Sequence, residues 1–520
     1  MFLVTAEEMR ECDRRTIEDC SVPGPVLMER AARGIRAALV ERYRPLNRRR
    51  ICIVCGRGNN GGDGLLVARL LFDDGLNPRV FLTDPVAQIS GDAALQIPPL
   101  SARGVPLEPI CPERIGWIRG LAPEDLIVDA ILGTGFKGTV EGVKAEVIEA
   151  INASRAHVVA VDIPSGLSAD SREVSGPAVQ AELTVTMAFP KRSFLFWPAR
   201  AHVGEWKAVD IGVPSEVVAA VRPAARLITA RGVVNEIPAL PPDAHKGIRG
   251  KLAIAGGSPG LTGAPCMVAL GAARAGAGLI RVGVPRSLNA ILEGKLTEEM
   301  TFPLPETEAG TLSIRAKEVL LSLREGWDAL VLGPGMGRHP ETDRLAREIY
   351  EGWSGPLVVD ADGLNALAAG GLPSVDPMRP APVLTPHPGE MARLTGLTMS
   401  EIATDPIASA RRFAQQHAVV LVLKGAPTVV SDPTGNVLVN TTGNAGLATG
   451  GSGDVLSGII GAFLAQGVDP WWAAAAGVYL HGASADRIAE RAPLRSIRPT
   501  EVAAGIGDAW KTIFKEADGA

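Results

Sequence analysis

The apolar, β-branched run Ile51–Cys55 passes straight into Gly56-Arg57-Gly58-Asn59-Asn60-Gly61-Gly62-Asp63-Gly64. A strand that ends on glycines and leads into a helix is the phosphate-binding turn of an α/β layer. Glycines let the backbone approach a ligand, and amides at the helix start face an anion. A second glycine run of different design, Thr449-Gly450-Gly451-Ser452-Gly453-Asp454, opens the apolar stretch Val455–Gln466 far downstream. One such turn predicts a nucleotide-binding enzyme. Two of unlike design predict two enzymes fused to act on one metabolite or on its successive forms.

The bulk composition agrees with layered α/β domains. A chain of 520 residues holds two to four of them, and 46% hydrophobic residues with 59 glycines suit large cores and Gly-rich strand-to-helix turns. Net charge is −5 with no basic block, which excludes nucleic acid as an expected partner. Cys52 and Cys55 spell C-x-x-C, but an odd offset on a strand sends their thiols to opposite faces, so inert buried thiols are expected. Glu7 and Glu8 arrive too early for a signal peptide, and Val455–Gln466 is too short to cross a bilayer. A cytoplasmic protein without membrane contact, forming a homo-oligomer, is expected.

Short β-branched runs recur at Ile51–Cys55, Arg79–Leu82, Leu126–Leu132, His157–Ile163 and Leu183–Phe189. Helical patterns such as Gly64–Leu71 and Val143–Ala153 separate them, which predicts a parallel sheet with right-handed crossovers. Thr5–Tyr43 reads as two helices outside that sheet. Prolines 214, 223, 238, 241 and 242 mark the domain boundary, giving domains over 1–220 and 225–520. The second half repeats the strand-and-helix logic from Leu252–Gly256 onward, with helices expected near Ala264, Glu390, Gly453 and Trp472.

In the first half, Asp129, Asp162, Ser165 and Lys191 all follow or end predicted strands, where ligands bind in open α/β sheets. An aspartate in such a cleft can carry a proton, and a nearby lysine can tune it or take the proton itself. With the G-x-G-N-N-G-G-D-G string, these segments make residues 1 to about 220 similar to the NAD(P)HX epimerase family, which interconverts the R and S forms of hydrated NADH and NADPH. The resemblance implies a Rossmann-like three-layer sandwich. It implies that Asn59, Asn60, Gly61, Gly62, Asp63, then Gly133, Thr134, Gly135, Phe136, Lys137, Gly138, Thr139, and finally Asp162 hold the dinucleotide. It also implies a potassium ion among Asn60, Asp129 and Ser165. Asp129 and Lys191 are the acid/base candidates. A tight ion ligand is not also a free base, so the division of roles between them stays open.

In the second half, backbone amides of Gly450, Gly451, Ser452 and Gly453 can form an anion hole at a helix start, with the helix dipole assisting. Asp454, in the first turn beside it, can take a proton from a substrate hydroxyl while those amides stabilise a transferred phosphoryl group. No G-x-x-x-x-G-K-S/T occurs here, so this is not a P-loop. The strings Thr385-Pro386-His387-Pro388-Gly389-Glu390, Lys424-Gly425-Ala426-Pro427-Thr428 and Gly450–Asp454 together resemble the ADP/ATP-dependent NAD(P)HX dehydratase family over residues 225–515. That family phosphorylates the hydroxyl of the S hydrate, and loss of phosphate regenerates NADH or NADPH. The resemblance implies a ribokinase-like α/β domain in which Ala264, Gly335, His387 and Asp454 meet the hydrate. Lys424, Gly425, Ala426, Pro427, Thr428, Asn444, Gly450, Gly451, Ser452 and Gly453 would meet ADP or ATP. Magnesium is expected because phosphoryl transfer needs its charge neutralised. The fused order resembles bacterial proteins that prefer ADP. The alternatives are a ribokinase-like vitamin-precursor kinase, and a first domain that serves only as a nucleotide-binding scaffold.

Overall fold

The protein is described by a computed structural model covering residues 1–374 and 376–518. The chain divides into two compact units, Phe2–Ala224 and Ala225 onward.

The first unit opens with helices α1 (Ala6–Glu18) and α2 (Gly24–Tyr43). Thr5 and Glu8 close a reciprocal capping box that fixes the start of α1. Strands β1 (Ile51–Cys55), β2 (Arg79–Leu82), β3 (Leu107–Pro109), β4 (Leu126–Ala130), β5 (His157–Val161), β6 (Leu183–Met187) and β7 (Glu205–Val209) follow. They lie in the order β3-β2-β1-β4-β5-β6-β7, every pairing parallel. Ile51, Ile53 and Cys55 face α2 and α3 (Asn59–Asp73). Cys52 and Val54 face the layer of α4 (Gly142–Ala153). The two thiols therefore do point to opposite faces, and burial raises the pKa of each.

Helix α3 differs from its sequence expectation. It starts at Asn59, not Gly64, because Gly58 is already extended as the cap and the Gly62 amide bonds the Gly58 carbonyl at 3.0 Å. Asn59–Asp63 therefore belong to the opening turns of the helix and not to a loop. The edge strands β3 and β7 carried no clear signal. Leu-Glu-Pro is short, and Glu-Trp-Lys-Ala-Val is polar at alternate positions, as edges often are.

The second unit contains β8 (Ala225–Leu227), β9 (Lys251–Ala255), β10 (Leu279–Pro285), β11 (Met300–Leu304), β12 (Ala329–Leu332), β13 (Leu357–Val359), β14 (Val383–Leu384), β15 (Val420–Leu423), β16 (Val429–Ser431) and β17 (Val437–Val439). They are ordered β8-β17-β16-β15-β14-β13-β12-β9-β10-β11. Pairing is parallel from β15 through β11 and between β17 and β8, and antiparallel at β15–β16 and β16–β17. Leu252, Ile254, Val331 and Val422 pack on one side against α5 (Gly263–Arg274), α8 (Ser452–Ala465), α9 (Pro470–Ala489) and α10 (Pro499–Asp518). The alternating residues Ala253, Leu330, Leu332 and Leu421 are buried as well, so both faces of the sheet are covered. Helices α6 (Asp362–Gly370) and α7 (Pro388–Thr395) follow β13 and β14.

Candidate active sites

Each sheet reverses its winding once. In the first unit this happens between β1 and β4, and in the second between β9 and β12, so the carboxyl ends of those strands open a crevice. Both crevices are made by the same device. A Cβ on Gly56 would sit 2.0 Å from the Ile131 carbonyl oxygen, and one on Gly256 would sit 2.3 Å from the Pro334 carbonyl oxygen. Only glycine allows the turn after the central strand to lie against the turn after its neighbour.

In the first crevice, Asn59, Asn60 and Gly61 open α3, and their amides precede the first intrahelical bond, which Gly62 makes. The loop Gly133, Thr134, Gly135, Phe136, Lys137, Gly138 and Thr139 faces them after β4. A Cβ on Gly133 would lie 3.1 Å from the Asn60 Cβ, while Gly135 and Gly138 have open space. Phe136 turns partly inward against the α4 layer. Gly62 is also constrained by its neighbours in the fold. A Cβ there would meet Met28 at 2.8 Å and Ala93 at 2.9 Å, so its bare Cα serves packing, and its amide is used within the helix. Gly62→Val is therefore expected to destabilise the first unit by about 1–3 kcal/mol through overpacking. Calorimetry checks it: an unchanged melting transition with lost dinucleotide affinity would point to the ligand role instead.

Asp129 is fully buried in β4. The Ser165 hydroxyl donates to its Oδ1 at 2.6 Å, the Ser165 amide to its Oδ2 at 2.8 Å, and the Ile131 amide to Oδ1 at 3.3 Å. Burial pushes its carboxyl up to about 6 against these hydrogen bonds. The Leu132 amide donates to Ser165 Oγ at 2.8 Å, and the Leu132 carbonyl accepts from Asn60 Nδ2 at 3.0 Å. Asn60 Oδ1 is left buried with no hydrogen-bond partner. An amide oxygen, a carboxylate, a hydroxyl and a main-chain carbonyl thus converge, which is the donor set of a hard cation.

Lys191 does not join that group. Its ammonium is fully buried and donates to Asp162 Oδ1 at 2.5 Å, Thr186 Oγ1 at 2.7 Å and the Phe189 carbonyl at 3.0 Å. Asp162 has a left-handed backbone at φ 63°. Two further carboxylates face the pair. Asp63 of α3 is pushed well above its ordinary pKa by burial and by Asp162 and Asp13. Asp13 of α1 is pushed up to about 6 by burial and by Asp162, with Lys191 opposing. Asp13 gave no sequence signal, since it lies outside the strand ends. Pairing of Val4 with Pro190 and Arg192 brings α1 to this place.

In the second crevice, Gly335 takes φ 64°, and a Cβ on it would approach Ala264 at 3.0 Å, so the two predicted hydrate contacts adjoin. His387 caps α7, its Nδ1 accepting from the Gly389 amide at 3.0 Å, while Glu390 accepts from the His387 amide at 2.8 Å. Burial and the Lys424 and Arg393 charges lower its pKa, and with Nδ1 accepting in the cap, Nε2 is the ring nitrogen left to donate. Asp360, at the end of β13, accepts from Lys424 Nζ at 2.9 Å and from Ser457 Oγ at 2.6 Å. Lys424 also lies 3.8 Å from Glu390.

Asp454 stands in the first turn of α8, and Gly451 enters that turn at φ 94°. Burial, then the nearby Asp360, push its carboxyl up to about 7 despite Lys424, and Asp362 and Glu390 add to the rise. A Cβ on Gly453 would lie 3.3 Å from Lys424 Nζ, whereas Gly450 is open. Ser452 is buried against the neutral His481, whose pKa burial lowers to about 4. Gly425, Ala426 and Pro427 form the turn that Thr428 Oγ1 closes on the Gly425 carbonyl at 3.1 Å. The side chain of Asn444 is spent on its own loop: Oδ1 caps Gly446, and Nδ2 donates to Asp486 at 2.9 Å. Its main chain, and not its amide group, is what it can present.

Among the described residues, no three or more His, Cys, Asp or Glu side chains are grouped so as to hold a metal ion. Both Asp360 oxygens are taken by Lys424 and Ser457. No helix among the described residues is long and apolar enough to cross a membrane.

Residues 252–506 match the NAD(P)H-hydrate dehydratase family, and residues 24–193 match the family described as YjeF-related protein N-terminus. The chain is 44% identical over 500 residues to the bifunctional NAD(P)H-hydrate repair enzyme of Moorella thermoacetica, covering 96% of this chain and 94% of that one. It is 37% identical over 500 residues to that of Escherichia coli, covering 96% and 92%. A crystal structure of the ADP/ATP-dependent NAD(P)H-hydrate dehydratase of Bacillus subtilis aligns at TM-score 0.48 and 27% identity, covering 55% of this chain and 98% of that one. With full-length likeness running through both units, the chain belongs to the family of bifunctional NAD(P)H-hydrate repair enzymes.

Proposed function

We propose that the first unit epimerises the R and S hydrates of NADH and NADPH, and that the second dehydrates the S hydrate at the expense of ADP or ATP. The observation that carries the second half is Asp454, a carboxyl in the first turn of α8 whose pKa is pushed up to about 7. A base tuned near neutrality takes the hydroxyl proton as oxygen attacks the terminal phosphoryl group. The main-chain amides of Gly451 and Gly453 receive the negative charge, while that of Ser452 donates to the Thr449 carbonyl at 3.3 Å. The C–O bond of the phosphorylated intermediate then breaks with its electron pair leaving on phosphate, and a ring proton is lost as the double bond re-forms. Ala264, Gly335 and His387 orient the hydrate, and the turn Lys424–Thr428 and the main chain at Asn444 hold the nucleotide. Magnesium bound to the nucleotide phosphates would neutralise part of their charge.

In the first unit, the unpartnered Asn60 Oδ1 with Asp129 and Ser165 supports a potassium site. Bound there, the ion would supply positive charge close to the dinucleotide phosphates. Asp162 is held by Lys191, and the amides at Asn59–Gly61 would take an anionic group of the dinucleotide.

Recovery of absorbance at 340 nm from mixed hydrate epimers tests the whole reading. Wild type with ADP or ATP should consume both epimers. A stable phosphorylated product with no absorbance gain would mark a kinase instead. The pH dependence follows from Asp454. It must be ionised to accept a proton, so kcat/KM should be flat above about 7 and fall about tenfold per pH unit below it. A profile that stays flat down to about pH 5 would remove Asp454 from the role of base.

A further inference from the structure

Asp360 is only 1% exposed, yet it carries two strong hydrogen bonds, one to Lys424 and one to Ser457 on α8. Ser457 is one turn along α8 from the anion hole, so Asp360 is tied to the same helix that presents Asp454. Lys424, in turn, is drawn to Asp360 at 2.9 Å and lies 3.8 Å from Glu390. Its ammonium packs so close to Gly453 that a Cβ there would be 3.3 Å away, with Asp360 Oδ2 at 3.8 Å. A side chain at that position would meet the lysine's charged end. The lysine is thus parked at the mouth of the anion hole by a carboxylate that the substrate has no need to touch.

We propose that Asp360 is a positioning residue of the dehydration reaction: anchored by Ser457, it holds the Lys424 ammonium at Gly453, so that Lys424 serves the incoming phosphates and does not neutralise Asp454. This rests on the reading of Asp454 as base. Without Asp360, the lysine is free to pair with Asp454 and to keep it ionised as a weaker base. The charges facing Asp454 are Asp360 and Asp362 from the end of β13 and the start of α6, Glu390 of α7 and Lys424 after β15. His387 at the start of α7 uses Nδ1 as an acceptor from the Gly389 amide, and burial lowers its pKa. Burial favours a neutral Asp360, but Lys424 and Ser457 outweigh it and hold its pKa below the usual range. The pair is therefore charged at neutral pH.

The test compares pH profiles of kcat/KM for dehydration by the full-length chain carrying Asp360→Asn, Lys424→Met or both. Removing the negative charge should move the acidic limb down by about one unit, and removing the positive charge should move it up by a similar amount. The double variant should return near wild type. A loss of packing alone would lower the rate without moving the limb in opposite senses. If Asp360→Asn does not fold, Ser457→Ala, which removes the anchor and keeps both charges, takes its place, and its acidic limb should also move down as Lys424 shifts toward Asp454. Limbs that stay at the wild-type position, or that move the same way in both variants, overturn the proposal. Near-normal dehydration by Asp454→Asn would instead overturn the base assignment on which it rests.

Discussion

Asp454→Asn is expected to lower dehydration of the S hydrate by roughly 10²- to 10⁴-fold while leaving nucleotide binding in place. The substitution keeps the volume of the side chain and removes its ability to accept the hydroxyl proton. The anion hole is main chain and its helix dipole is unaltered, so ADP or ATP should still bind. Epimerisation takes place in the other unit and should continue. Supplied S hydrate would then relax to a mixture of both epimers and stop there, with no absorbance gained at 340 nm. Calorimetric binding of nucleotide, run beside that assay, separates lost chemistry from lost affinity. A variant that regenerates NADH at near wild-type rate would reduce Asp454 to a residue of the first helical turn, and the kinase-like mechanism would fall.

Asp129→Asn should reduce epimerisation by at least about 10²-fold, the scale of an acid–base group. Its environment adds a second effect. Both carboxylate oxygens accept from Ser165, one from the amide and one from the hydroxyl. An asparagine must turn an NH₂ toward one of these donors. A buried donor left unpaired costs about 1–3 kcal/mol, so the variant should also melt earlier. If Asp129 works mainly as an ion ligand with Asn60 and Ser165, wild type should be active in potassium and weak in sodium, and the variant should lose that difference. Retained epimerisation with a normal preference for potassium would shift both roles elsewhere, first to Asp63 or Asp13, which face Asp162 with raised pKa values.

The α/β class was legible because its signals are local. Ile51–Cys55 and Arg79–Leu82 are strands over the residues expected, and the carboxyl-end aspartates lie where strand ends converge. The two opening helices and the helices near Ala264, Gly453 and Trp472 also appear, at Gly263, Ser452 and Pro470. Strand ends were overestimated, as with Leu126–Leu132 against the observed Leu126–Ala130. Apolar side chains continue past the last ladder bond there because Ile131 is still buried. The packing role of Gly62 was not legible. A glycine needed for a ligand and one needed for a helix neighbour look alike until Met28 and Ala93 are in place.

The sequence by itself determined the two glycine turns, the helix each one opens, and the residue types gathered around them, because turn chemistry and hydrophobic periodicity act over a few residues. Only the tertiary structure decided how those residues divide their work. Strand order sets the winding reversals at β1/β4 and β9/β12, and so chooses which turns share a crevice. Side chains far apart in the chain then settle one another's charge. Lys191 is consumed by Asp162 and Thr186, Asp129 by Ser165, and Lys424 by Asp360, while Asp454 is left among like charges with a pKa near neutrality. Burial and neighbouring charge fix a proton affinity, and both are properties of the folded molecule.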